Sequence, residues 1–98
     1  MGKFNPKVSV LLPIYNYQKV KPTIDSLLNQ TFDDFELLIC DDGSIPPISL
    51  PKFFDKRIRF YKNENNLGLG RTLNKLLSLT SKSSKYFSTV EQDDIYKP

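Results

Sequence analysis

Histidine and tryptophan are both absent from this chain of 98 residues, and cysteine occurs once, at Cys40. Without histidine the commonest general base and the commonest transition-metal ligand are missing, so acid–base or metal chemistry falls to carboxylates. A single cysteine excludes a disulfide or a cysteine-built zinc site within one chain. Long apolar runs are lacking too: nothing approaches the roughly 18 residues that a bilayer span needs, and residues 1–7 have no apolar signal-peptide core. The expected location is therefore the cytoplasm or the inner face of its membrane. A dense basic block is also missing. The net charge is +3 and the pI near 9.0, yet the lysines are spread from Lys3 to Lys97 without an aromatic and basic platform. That pattern favours a solvated surface over a nucleic-acid partner.

What is present has the composition of an ordinary soluble domain, 39% hydrophobic and 26% charged, long enough for one domain with a thin core. Its organising stretch is Leu37-Leu38-Ile39-Cys40-Asp41-Asp42-Gly43-Ser44, an apolar rod that runs into two carboxylates and a turn. The rod is too short for a helix to be the default, and it reads as a parallel strand over 37–41, covered on both faces. Before it, an apolar segment predicts a strand over 8–13, ended by Pro13, and Val20, Ile24, Leu27 and Leu28 recur at helical spacing over 20–29. After it, three prolines in 45–51 exclude regular structure and predict an ordered loop across the sheet edge. Alternating charge and apolarity predicts a more exposed, edge-like strand over 57–62. A second helix is expected over 69–79, presenting Leu69, Leu73, Leu76 and Leu77 on one face, and a last strand over 86–90. The order β, α, β, loop, β, α, β predicts an α/β fold with parallel strands and right-handed crossovers.

Such a sheet gathers its strand carboxyl ends along one rim, where ligands bind in open α/β folds. The rim is expected to collect Tyr15, Asp41, Asp42, the asparagine-rich turn after Lys62, and Asp93 with Asp94. Carboxylates brought together without basic neighbours repel one another, a cost relieved by a bound cation or by ligand hydrogen bonds. An all-oxygen site suits Mg²⁺ or Mn²⁺, usually shared with a substrate phosphate, so a nucleoside diphosphate ester is a natural guest. Each feature also has a plainer explanation. Asp41-Asp42-Gly43-Ser44 is a standard strand-ending turn, and Asp93-Asp94 suits a solvated turn or a helix cap. Arg71 can neutralise a phosphate at the second helix's N-terminus or simply sit on the surface. Tyr15 and Tyr17 can pack on the sheet edge. Leu67-Gly68-Leu69-Gly70 lacks the spacing of a dinucleotide loop and reads as a helix entry.

Several motifs in order carry a more specific signal. Val8-Ser9-Val10 leads to Pro13-Ile14-Tyr15-Asn16, Leu27-Leu28-Asn29-Gln30-Thr31-Phe32 precedes Phe35-Glu36-Leu37, and Asp41-Asp42-Gly43-Ser44, Asn66-Leu67-Gly68, Leu73-Asn74 and Asp93-Asp94-Ile95 follow. This series resembles the family 2 glycosyltransferases of the GT-A fold over nearly the whole chain. The resemblance implies a three-layer α/β/α domain with a mainly parallel, Rossmann-like sheet of about four strands. It implies a donor site for a nucleotide sugar, a UDP-sugar being favoured, with Mn²⁺ or Mg²⁺, serving inverting transfer to a sugar or lipid-linked acceptor in polysaccharide or glycoconjugate synthesis. Position by position, Pro13 and Tyr15 would lie beside the base and Asp42 would accept a hydrogen bond from its edge. Asp93 would be the metal carboxylate, with Glu91 near the ribose in place of the family's first Asp. Arg71 joins this nucleotide-binding set from its place at the helix entry. The family's acceptor-binding half and catalytic base lie well beyond Asp93, so residues 1–98 are expected to form a truncated donor-binding domain with no catalytic residue, inactive alone. The alternative is a non-catalytic nucleotide-binding or assembly module. A half-domain also leaves a sheet edge open, which makes self-association an expectation.

Overall fold

The computed structural model describes residues 4–49 and 55–97, so the end of the proline-rich loop, from residue 50, and Pro98 lie outside the described residues. Six elements follow in order: β1 (Val8–Ile14), α1 (Lys21–Leu28), β2 (Phe35–Asp42), β3 (Ile58–Asn63), α2 (Leu69–Ser78) and β4 (Tyr86–Thr89). All pairings are parallel and the strand order is β3-β2-β1-β4. Every residue of β2 is buried, as a strand with a neighbour on each side and a helix on each face must be. The chain therefore adopts the three-layer, Rossmann-like α/β arrangement that its sequence predicts.

Strand parity decides which side chain faces which helix. Phe35, Leu37 and Ile39 join Leu12 and Ile14 against Ile24 and Leu27 of α1 and Val20 just before it, whereas Leu38 and Cys40 join Leu11 against Leu76 of α2. Asp41 and Asp42, adjacent in sequence, consequently leave the sheet on opposite faces. Pro13 does not end β1: it pairs with Cys40, and the strand runs on through Ile14. The missing N–H is harmless there. The Leu11 carbonyl accepts from Val90 N–H on the β4 side, and Pro13, two residues on, turns the same way beyond the last residue of β4.

The face of α2 differs from the one expected. Leu76 is fully buried and the half-buried Leu73 and Leu79 pack beside it, but Leu69 and Leu77 are exposed, and the second buried position of the helix belongs to Thr72. Thr72 holds that place through chemistry that a count of apolar residues does not register: its hydroxyl accepts from the amide of Asn63, 3.2 Å away at the end of β3. Gly70, in the first turn of the same helix, has nothing within 4 Å of where a Cβ would stand. Gly70→Ala is therefore expected to raise stability by about 0.4–1 kcal/mol, through lost freedom of the unfolded chain; urea unfolding with an unchanged m-value would register it.

Candidate functional site

A cleft of about 550 Å³ opens at the carboxyl ends of β1, β2 and β4. Pro13, Ile14 and Tyr15 form one side, Asp42, Asn66, Gly68 and Leu69 the second, and residues 90–93 the third. Of the residues picked out in the sequence, Pro13, Tyr15, Asp42, Glu91 and Asp93 all line this one space, and Arg71 does not. The reason is helical geometry. Leu69 opens α2 at the cleft, and two residues on, at about 100° per residue, Arg71 has turned away into solvent.

Asp41 also falls outside the cleft, contrary to its expected place on the rim. Facing α1, it accepts from Ser44 N–H at 3.1 Å, from the Ser44 hydroxyl, and from Ile48 N–H at 2.9 Å. Its work is to close the turn after β2. Asp42 faces α2 and is only 3% exposed. Its Oδ1 accepts from the Asn63 amide at 2.9 Å and Leu67 N–H at 2.8 Å. Its Oδ2 accepts from the Asn66 amide at 2.9 Å and Gly68 N–H at 3.0 Å. Four donors fill the roughly four lone-pair positions of a carboxylate. Burial alone would push this group up, but Leu67 N–H, the Asn63 amide, the Thr72 hydroxyl and Gly68 N–H together hold it below the ordinary aspartate value. Instead of waiting open for a ligand, Asp42 anchors the turn that leads into α2. Asn63, one of its four partners, accepts in turn from the Lys75 ammonium at 2.6 Å.

That turn also presses on Gly43. The glycine has φ +70, and a Cβ there would lie 2.5 Å from both the Asn65 carbonyl carbon and the Asn66 nitrogen. Backbone approaches backbone where only glycine fits.

The third side of the cleft is an acidic turn. Glu91, Asp93 and Asp94 are exposed and each offers an oxygen within 4.8 Å of the others'. Asp94 N–H bonds the Glu91 carbonyl at 3.3 Å, and the Tyr96 hydroxyl accepts from Glu91 N–H at 2.9 Å. None of the ion pairs formed among the described residues, Lys21 with Asp25, Arg57 with Asp55 and Arg59 with Glu36, involves this turn. Three converging carboxylates without a cationic partner make a donor set that suits a hard divalent ion. Asp94, given no metal role in the sequence reading, converges with Asp93 and Glu91. Sequence reasoning missed Gln92 altogether. Its Oε1 accepts from Tyr15 N–H at 2.9 Å, and its carbonyl accepts from the Thr23 hydroxyl at 2.8 Å. No local pattern signals a contact between residues 77 positions apart.

Known proteins bear on this arrangement. The family model described as glycosyl transferase family 2 matches residues 9–98. An uncharacterised glycosyltransferase of Haemophilus influenzae is 36% identical over 98 residues, covering 95% of this chain and 30% of that protein. The bifunctional glycosyltransferase pgtA of Dictyostelium discoideum is 37% identical, covering 96% of this chain and 15% of that protein. An uncharacterised glycosyltransferase of Methanocaldococcus jannaschii is 37% identical, covering 95% and 34%. The chain thus spans about a third or less of the length of these curated relatives. With the family match running over nearly all its length, on a Rossmann-like sheet whose strand ends meet at one cleft, the chain belongs to glycosyl transferase family 2.

Proposed function

We propose that residues 1–98 form the donor-binding region of an inverting glycosyltransferase, taking a nucleoside diphosphate sugar, UDP-sugar first among them, with Mn²⁺ or Mg²⁺. The observation that carries this is a cluster of three convergent carboxylates, two of which, Glu91 and Asp93, line the same cleft as Pro13, Tyr15 and the Asp42-anchored turn. Pro13 and Tyr15 flank the base. A base edge reaches Asp42 by replacing Asn66, whose amide is on an exposed turn and leaves one lone pair behind. Glu91, Asp93 and Asp94 hold the ion, which when bound neutralises charge on the departing diphosphate. Glu91 also lies within reach of the ribose. Among the described residues these carboxylates all serve the donor, so we expect binding and no sugar transfer by this chain alone. The acceptor, a sugar or lipid-linked glycan in polysaccharide or glycoconjugate synthesis, falls to the longer proteins, and the cytoplasm or its membrane face is the location we propose. No helix among the described residues is long and apolar enough to cross a bilayer. The exposed edge of β4, with Tyr86 and Phe87 outward, supports self-association.

Calorimetric titration of UDP tests the donor site. Binding is expected with Mn²⁺ and not with EDTA, and Asp93→Ala should weaken it about tenfold or more, on the order of 1.4 kcal/mol. A folded chain that ignores UDP under both conditions would leave the non-catalytic module as the better account.

A further inference from the structure

We infer that Gln92 is a positioning residue through which a cation on the acidic turn sets the Tyr15 side of the cleft, so that cation and nucleoside bind cooperatively without touching. This rests on the donor-site proposal above for the identity of the two ligands, and on separate geometry for their coupling. Gln92 lies between Glu91 and Asp93, two of the three convergent carboxylates. It is also tied to both neighbouring elements. Its side-chain oxygen accepts from Tyr15 N–H, and its backbone carbonyl accepts from Thr23, a residue of α1 that is 1% exposed. The carbonyl bond fixes the backbone of the turn to the helix, leaving the side chain as the adjustable link. On the far side, Tyr96 holds the Glu91 N–H and stands 3.5 Å from an Asp94 oxygen. The acidic turn is therefore held at both ends, so that gathering its carboxylates around an ion acts on the Gln92 side chain between them rather than on the backbone.

That residue holds the backbone amide of Tyr15, which is 46% exposed in the cleft wall. The next link continues the path: Asn16 N–H donates to the Ser44 hydroxyl at 2.9 Å, and the Asn16 side chain accepts from Ile45 N–H at 2.9 Å. Loading the acidic turn thus orders the loop after β1 at the point where a base would stack. Binding free energies coupled in this way are reciprocal, so the nucleoside should tighten the cation as much as the cation tightens the nucleoside.

Uridine separates this coupling from direct contact, because it carries no phosphate to bridge to an ion. In nuclear magnetic resonance titrations of the 98-residue chain, Mg²⁺ alone is expected to shift the amides of residues 91–94 and that of Tyr15. It should also tighten uridine binding about fivefold or more, the low end of typical couplings. Gln92→Met keeps the side chain's length and the backbone bond to Thr23 but removes the acceptor. In it, residues 91–94 should still respond, while the Tyr15 shift disappears and uridine affinity changes less than about twofold with Mg²⁺. Gln92→Glu, which retains an acceptor for Tyr15 N–H, should restore both. Persistence of the Tyr15 shift or of the cooperativity in Gln92→Met overturns the coupling while leaving the donor site intact. Silence of residues 91–94 in the unsubstituted chain overturns the donor-site proposal and the coupling with it.

Discussion

Gly43→Ala is expected to cost about 3–4 kcal/mol of stability, among the larger effects a single substitution has. Two separate penalties combine. The first is conformational: an L-residue held near φ +70 loses about 1–2 kcal/mol that glycine does not. The second is steric, because the new methyl group would stand 2.5 Å from backbone atoms of Asn65 and Asn66, and backbone does not swing aside as the end of a side chain does. Gly68→Ala carries a conformational penalty without the steric one. Gly68, at φ 92 and ψ 160, occupies a backbone region essentially reserved for glycine but has nothing within 4 Å of the position an alanine methyl would take, so its cost should be about 1–3 kcal/mol and wholly conformational. The two variants should also differ in kind. Displacing Asn65 and Asn66 pulls the donors of residues 66–68 away from Asp42, so hydrogen exchange at Leu67 and Gly68 should accelerate in Gly43→Ala. It should remain slow in Gly68→Ala. Hydrogen exchange at Leu67 and Gly68 that stays equally slow in both variants would show that the close approach of the turn to Gly43 contributes nothing.

The fold was legible in this sequence to the extent that burial follows apolarity. The run Leu37-Leu38-Ile39-Cys40 predicts a strand covered on both faces, and these residues are completely buried. The alternation over 57–62 predicts an edge strand, and β3 lies at the edge of the sheet. Where polar side chains do the packing, apolar patterns point elsewhere. Thr72 takes the place expected for Leu69 or Leu77 because Asn63 needs a partner beneath α2. At the site, composition brought forward the acidic residues but not their division of labour. Parity alone places Asp41 and Asp42 on opposite faces of β2, yet which face holds the cleft depends on where α2 begins, a tertiary fact. Gln92 shows the limit most plainly. Its role comes from a bond to Tyr15 across most of the length of the chain, and nothing within a local window distinguishes it from any solvated glutamine.

Asp42→Ala is expected to cost about 3 kcal/mol, and the loss should depend on pH in a defined sense. Removing the carboxylate leaves Leu67 N–H, Gly68 N–H and two asparagine amides without their acceptor, and each donor left unpaired away from water costs about 1–3 kcal/mol. Asn66 lies on an exposed turn and recovers water readily, so the total falls well short of four full penalties. In the folded chain the Asp42 carboxyl is held below its ordinary 3.8, and the nearly buried Glu36 is held below its ordinary 4.5. For Glu36, burial would raise the value, but Ser81 N–H, the hydroxyls of Ser9 and Ser81, and the Arg59 guanidinium outweigh it. Both groups therefore hold fewer protons folded than unfolded below about pH 5, so stability rises with pH through that window and is complete above the unfolded values. As pH falls through the depressed folded values, both contributions vanish. Asp42→Ala should thus be most harmful near neutrality and least harmful in acid, with a flatter acid limb than the unsubstituted chain shows. Glu36→Gln, at the opposite end of β2 and away from the cleft, should flatten the same limb independently, and the double variant should approach the sum of the two. Urea unfolding at a series of pH values measures all three. An Asp42→Ala curve that runs parallel to that of the unsubstituted chain would mean that this carboxylate gains nothing from its four donors on folding.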